Sequence, residues 1–374
     1  MRSPEELRQN LAQTVLNVRS GRATSRRKLA DVMHLSPTTS GYYVDQLIAS
    51  GHLYESGFEQ GGKGRPKRSL EAAAGAGWFA GVEFNAERIQ TVCIDFSGSL
   101  MAKDQLRLPT DADARQVMAA LVEVINTLAK RATGPLLGIG IGAPGIVDPD
   151  RGIGVDYSFL LRWKDVEVAA PLHDEFKVPV TLENNLRAIA LAERWFGGGR
   201  ELSDFVVLGP RSGFGLSIVK DGRLVGGAHH AAGEIGRWPW PLTAGMGAPE
   251  MQQILCAPAI YRRLAGLGAR DPLPEDLRSA LRDLSALEGD PWNQVIDDYA
   301  RVIGCVHLLL DPQVFFLHGP LTSLGQRFCD DIMASASGLM PALTGSTTQL
   351  VPSTLGDDAG ALGAASLAME AWAP

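Results

Sequence analysis

Hydroxyl and basic side chains in the first seventy residues have the types and spacing for contact with nucleic acid. Ser36, Thr38, Thr39 and Tyr42 cluster around Gly41. Small or hydroxyl-bearing side chains at the start of a helix can hydrogen-bond phosphates and base edges. Further on, Lys63, Arg65, Lys67 and Arg68 fall within GFEQGGKGRPKRSL, residues 57–70. A Gly-Arg-Pro tip of this kind can lay Arg65 into a narrow, electronegative minor groove.

Such groups need elements that present them. Between Ser25 and Leu53, Leu29, Val32 and Met33 fall at helical spacing, as do Tyr43, Val44, Leu47 and Ile48. Ser36 is a natural N-cap, Pro37 suits the first helical position, and Gly51 ends the second helix. This predicts a helix-turn-helix whose second helix enters the major groove by its N-terminal end. A plain helical hairpin would show the same spacing. Residues 4–19 are expected to form a preceding helix, with an apolar stripe of Leu7, Leu11, Val15, Leu16 and Val18. His52–Tyr54 reads as a short strand, and residues 57–70 as a hairpin wing with its tip at Gly61–Pro66. An ordinary solvated basic linker is the alternative for the wing.

Charge separates these readings. Residues 1–70 hold 11 Lys and Arg against 6 Asp and Glu, a surplus of five; the whole chain carries −7, which leaves −12 on the remainder. A basic head on an acidic body fits a phosphate-contacting module and discourages non-specific binding elsewhere. A winged helix-turn-helix is therefore expected.

With 374 residues, two or three domains are expected. A hydrophobic content of 45% with 42 glycines suits a large α/β body rich in tight turns. Cys93, Cys256, Cys305 and Cys329 are scattered without CxxC spacing, so neither a disulfide framework nor a zinc cluster is implied. No apolar signal core or run of about 18 apolar residues occurs, and a soluble cytoplasmic protein is expected.

After a small-residue linker at Ala72–Gly77, strands are expected at Trp78–Phe84, around Ile89–Phe96, at Leu136–Ile141 and at Val178–Leu182. Helices are expected at Val117–Ala129 and Leu186–Phe196. A second strand set follows at Asp204–Leu208, Gly215–Lys220, Arg223–Val225 and Val314–Leu317, with helices through much of 250–310 and a closing helix at Asp357–Trp372. Strand clusters separated by helices, occurring twice, predict two α/β lobes facing a cleft. Trp195 and Phe196 are expected in the core.

Four segments carry a more specific signal: Gly138–Asp148 (GIGIGAPGIVD), Val180–Glu193 (VTLENNLRAIALAE), Gly222–Gly236 (GRLVGGAHHAAGEIG) and Leu355–Ala368 (LGDDAGALGAASLA). In order and content the chain resembles the ROK family of sugar kinases and sugar-responsive repressors, whose repressors carry an N-terminal winged helix with a Gly-Arg-Pro wing. The resemblance implies an α/β fold with a two-lobed actin/hexokinase-like (ribonuclease H-like) body. It divides the chain into a winged helix over 1–72, a first lobe over 73–186 with the closing helix 357–374, and a second lobe over 187–356.

The chain departs from the kinase pattern at four places. Family kinases read Asp-x-Gly-Gly-Thr after the first strand; here Glu83-Phe84-Asn85-Ala86-Glu87 lacks both glycines, whose backbone N–H groups approach phosphate. A second phosphate loop, Gly-Thr-Gly in kinases, is Gly209-Pro210-Arg211, where proline removes a donor. The general-base aspartate of Glu-Asn-Asp is replaced by Asn185, and an amide cannot take the proton of a sugar hydroxyl. The family's zinc-ligand histidine is Arg237, and Pro241–Pro249 contains no cysteine. Packing of Trp238 and Trp240 is expected to replace the metal. No catalytic residue, metal or cofactor is expected.

The resemblance places sugar-contacting positions at Asn184, Asn185, Glu234, Arg237 and Glu250. Arg237 would bind a phosphate or carboxylate, or be neutralised by Glu234 or Glu250. Phe159 would narrow the pocket, stack on a sugar face, or be core. His229 and His230 are assigned no metal role. The expectation is a sugar-responsive regulator, a repressor of carbohydrate-utilisation genes, with double-stranded operator DNA and a small sugar as partners. It would act as a homodimer or dimer of dimers, with no membrane partner. Its rivals are an active sugar kinase with an added DNA-binding domain and a DNA-binding protein with a vestigial cleft.

Overall fold

The computed structural model describes residues 3–58, 68–241, 245, 247–341 and 347–374. These divide into two compact units, residues 1–188 with 360–374, and residues 189–359.

The first unit opens with three helices: α1 (Pro4–Arg19), α2 (Arg26–Val32) and α3 (Pro37–Ala49). Each has a serine N-cap, at Ser3, Ser25 and Ser36, whose hydroxyl accepts a backbone N–H from the first turn. Leu11, Val15 and Val18 of α1 are buried with Leu29 of α2 and with Tyr43, Val44 and Leu47 of α3. Val32, which falls at helical spacing with Leu29 and Met33, is 40% exposed. It is the last residue of α2. Strands β1 (Leu53–Phe58) and β2 (Arg68–Ala72) pair antiparallel as a hairpin. The expected wing tip, with Lys63, Arg65 and Lys67, lies outside the described residues.

The segment expected to be a linker is folded. Residues Ala74–Ala76 form a 3-10 turn, the Ala73 N–H donates to His52 O at 2.9 Å, and the Trp78 N–H to Pro135 O at 3.0 Å. Gly77 has φ 149°, and a Cβ there would sit 2.6 Å from the Leu137 side chain.

A five-stranded sheet follows, built from β3 (Trp78–Phe84), β4 (Arg88–Asp95), β5 (Leu100–Arg107), β6 (Leu136–Ala143) and, beyond the small antiparallel sheet β7 (Ile146–Asp148), β8 (Ile153–Asp156) and β9 (Lys164–Glu167), β10 (Val180–Asn184). Its order is β10-β6-β3-β4-β5; β3 pairs parallel with β6 and antiparallel with β4. Helices α4 (Ala114–Ala129) and α5 (Ala169–Phe176) contribute to its core, while α6 (Asn185–Phe196) straddles the unit boundary.

The second unit repeats the strand plan. It has β11 (Phe205–Leu208), β12 (Leu216–Lys220), β13 (Arg223–Leu224), β14 (Val314–Leu317) and β15 (Gln349–Pro352) in the order β13-β12-β11-β14-β15. Here β11 pairs antiparallel with β12 and parallel with β14. Helices α7 (Met251–Leu255), α8 (Ala257–Leu264), α9 (Leu277–Asp283), α10 (Asp290–Leu310) and α11 (Gly325–Ala336) surround it. Trp240 is buried in their common core and Trp238 packs against it. Trp195 and Phe196, expected to be core, are only half-buried, at the last two positions of α6.

The closing helix α12 (Ala359–Ala371) returns to the first unit. It lies on β3 and β6 at backbone distance: a Cβ on Gly81 would sit 2.1 Å from Ala361 O, and one on Gly140 1.7 Å from Ala364 O. Only glycine lets a helix and a strand approach this closely.

Candidate functional site

The N-terminal turn of α3 faces solvent. Ser36, Thr38 and Tyr42 are exposed, and Thr39 and Gly41 partly so. Ser36 does local work as well: its Oγ accepts the Thr39 N–H at 3.2 Å and lies 2.9 Å from the Thr39 hydroxyl. Gln46, one helical turn on, donates through Nε2 to the Tyr42 hydroxyl at 3.0 Å, extending the polar face. Arg26 supports α3 from behind. It pairs with Asp45 and Glu55 at 2.7 Å each and reaches Gly41 O at 3.4 Å. The hydrogen bond from Arg26 holds the Glu55 carboxyl below its usual range, and Arg68 adds to this. These acidic groups are thereby neutralised next to a surface suited to phosphate.

The amide pair at the end of β10 is firmly wired. Asn184 is buried; its Oδ1 accepts the N–H groups of Leu186 at 2.9 Å and Arg187 at 3.3 Å, capping α6. Its Nδ2 donates to Gly145 O at 2.8 Å, holding the loop between β6 and β7. Gly145 has φ 74°, and a Cβ there would meet Asp156 O at 2.2 Å. Asn185 donates through Nδ2 to Oε1 of Glu83, at 3.3 Å. Glu83 is 1% exposed, so the position that carries a base in the kinase pattern here completes a hydrogen bond to a buried carboxylate. Behind them, Arg187 and Glu183 form a buried pair at 2.6 Å.

The remaining expected sugar contacts belong to the second unit. Glu234 and Arg237 flank the short turn Ile235–Arg237, where the Arg237 N–H donates to Glu234 O at 3.4 Å. Arg237 is exposed, and Glu234 is half-buried. Glu250 caps α7 with Gln253, whose side chain accepts its N–H at 3.0 Å, and it also holds Gln252. Glu250 therefore has a structural task whatever else it does. Phe159 is 65% exposed and tilted against Tyr157 at 5.4 Å, which excludes a core role.

Two residues that sequence reasoning did not name, Gln46 and Arg19, and one that it named only for the glycines missing after it, Glu83, prove central. Glu83 anchors Asn185, Gln46 extends the α3 face, and Arg19, at the end of α1, is buried among aromatic rings. Neither Glu83 nor Arg19 has a local pattern pointing to its partner.

A winged helix packed on one of two α/β units of like strand plan defines the class of protein. The ROK family profile matches residues 79–371, and the chain belongs to the ROK family. The xylose repressor of Caldicellulosiruptor bescii is 29% identical over 215 residues, 57% of this chain and 54% of that protein. The chain thus spans about half the length of the first relatives it matches. The xylose repressor of Bacillus spizizenii is 23% identical over 367 residues, covering 92% of this chain and 91% of that protein. A solved ROK family transcriptional regulator, a homologue of the E. coli MLC protein, superposes with a TM-score of 0.80 at 19% identity, covering 97% and 96% of the two chains. The fold is that of ROK regulators and sugar kinases, an actin/hexokinase-like body.

Proposed function

We propose that this chain is a cytoplasmic, sugar-responsive transcriptional repressor of carbohydrate-utilisation genes that binds operator DNA as a homodimer. The observation that carries this reading is the N-terminal turn of α3, exposed and hydroxyl-lined beside a paired hairpin. Thr38, Thr39, Gly41 and Tyr42 would meet base edges and phosphates, with Ser36 shaping the turn. Lys63, Arg65 and Lys67 would contact phosphates and the minor groove.

The body would bind a sugar without phosphorylating it. Asn185 engaged by Glu83 supports this, because an amide held by a carboxylate cannot serve as general base. Asn184 would act by holding the Gly145 loop and the start of α6, while Asn185, Glu234 and Glu250 would meet hydroxyls. Arg237, an exposed guanidinium, suits a phosphorylated or acidic sugar. The named relatives make xylose the first neutral sugar to try. A sugar kinase is the second reading, and it rests on kinases sharing the family.

The test is selection of duplexes from genomic DNA by the purified chain, followed by calorimetry with xylose, other neutral sugars and their phosphates. Millimolar or tighter binding of a sugar that shifts duplex affinity is expected. Absence of any sugar binding, or ATP-dependent phosphorylation of the sugar, would overturn the reading.

A further inference from the structure

The last turn of α1 carries a cation where none is easily accommodated. Arg19 is 9% exposed, and burial lowers its guanidinium pKa to about 9, with Asp95 opposing the shift. Its Nε donates to Phe96 O at 2.6 Å and its Nη1 to Met369 O at 3.3 Å. The guanidinium carbon lies 3.7 Å from the centre of the Phe96 ring, 5.1 Å from Phe79 and 5.4 Å from Trp372. Nη2 is buried without a hydrogen-bond partner. His52, at the start of the hairpin, packs against Phe96 at 5.2 Å and Trp372 at 4.9 Å. Burial, and then Arg19, lower its pKa, which favours the neutral ring beside the cation.

These contacts join three parts of the chain. Arg19 and His52 come from the winged helix, Phe79 from β3 and Phe96 from the turn after β4, and Met369 and Trp372 from the closing segment. A planar guanidinium suits the task, because it donates sideways to two carbonyls while its face rests on an aromatic ring. An ammonium would have to choose.

We propose that Arg19 is the positioning residue that locks the winged helix onto the first lobe and α12, so that reader and lobe move as one body. The folded segment from Ala73 to Gly77, tied to His52 and Pro135, leaves no slack between them. Both ends of α12 are engaged as well. At its start Gly360 abuts Glu83, the partner of Asn185; a Cβ there would sit 2.5 Å from Glu83 Cγ. At its end Met369 O accepts from Arg19. The helix is thus a rod of 13 residues, about 20 Å long, between the amide pair and the cation. A ligand that displaces Glu83 or Asn185 would bear on the winged helix through this rod rather than through a loose tether.

The inference uses the proposed function only in taking the winged helix as the reader of DNA, and its test needs no DNA. Spin labels are placed at Gln46→Cys on α3 and Asn126→Cys on α4, both exposed, in a Cys305→Ser background, since Cys93, Cys256 and Cys329 are buried. Pulsed dipolar spectroscopy on the full chain should give one narrow distance distribution. Arg19→Met, which keeps bulk but not donors or charge, should at least double its width, with Arg19→Lys intermediate. A control pair inside the lobe, at Arg107→Cys and Asn126→Cys, should stay narrow. Phe96→Leu, which leaves the cation and its carbonyls in place, should broaden the first pair less than Arg19→Met. A broad distribution in the parent chain, an unchanged width in Arg19→Met, or equal broadening of both label pairs would overturn the proposal. If Arg19→Met does not fold, the parent and Phe96→Leu distributions decide.

Discussion

The two five-stranded sheets share one strand plan, yet the candidate sugar-contacting residues that follow their strands differ in exposure. In the first unit Asn184 and Asn185 are spoken for, through α6, the Gly145 loop and Glu83. In the second, Glu234 and Arg237 sit on a short turn with the arginine exposed. The first arrangement is a preformed ledge whose polar groups were desolvated when the chain folded. The second leaves its guanidinium in water. Stability and recognition are therefore expected to separate between the units.

The largest expected effect is at Asn184. Asn184→Ala removes two acceptor contacts and one donor contact at a buried site, and should cost about 2–4 kcal/mol in urea denaturation. Arg237→Ala, at an exposed side chain, should change stability by less than about 0.5 kcal/mol. Equal costs would erase the contrast.

A second effect concerns acid. His318 in the second unit is buried, and burial, with Arg211 and Arg278 nearby, lowers its pKa to about 3. The unfolded chain takes up this proton near pH 6.5 while the folded chain does not. The stability contributed by the neutral ring is present above pH 6.5 and is lost as pH falls toward 3, at up to about 1.4 kcal/mol per pH unit. His318→Gln should flatten that slope in denaturation curves recorded from pH 7 to 4; an unchanged slope would assign the acid sensitivity elsewhere.

A third, smaller effect tests the ledge electrostatically. Asn185→Asp restores the kinase-like residue but sets a second carboxylate close to Glu83, about 3.3 Å away in the present geometry. Like charges raise the pKa of such a pair. Stability should fall by about 1–2 kcal/mol at pH 8 and recover as pH drops and one carboxyl takes a proton. Adding Glu83→Gln should remove the penalty, and neither variant should gain ATP turnover. The smallest effect is Arg65→Ala, which should lower the slope of log affinity against log salt by about 0.9 and leave the body unchanged.

How much could be read from the sequence follows from the range of the interactions. The Ser36 cap, Pro37 and Gly51 act within a few residues, so α3 was legible, as was the doubled strand pattern. In the sequence Asn184 falls in the link between a strand and a helix, and its capping of α6 depends on where β10 stops. Sequence reading ended the strand at Leu182, two residues short of the observed Asn184. Arg19 was invisible because its partners lie 77 and 350 positions away. Val32 shares the helical spacing of Leu29 yet is exposed, because periodicity alone does not say which apolar positions a neighbour covers.

The central claim is that a small polar ligand in a ROK body changes how tightly the winged helix holds DNA. The direct measurement is fluorescence anisotropy of a selected duplex titrated with the full chain, with and without sugar, at fixed salt. The account predicts salt-dependent binding that one sugar shifts by about tenfold or more, with no phosphate transferred from ATP. Duplex affinity indifferent to every sugar tried, or sugar phosphate accumulating in the presence of ATP, would contradict it.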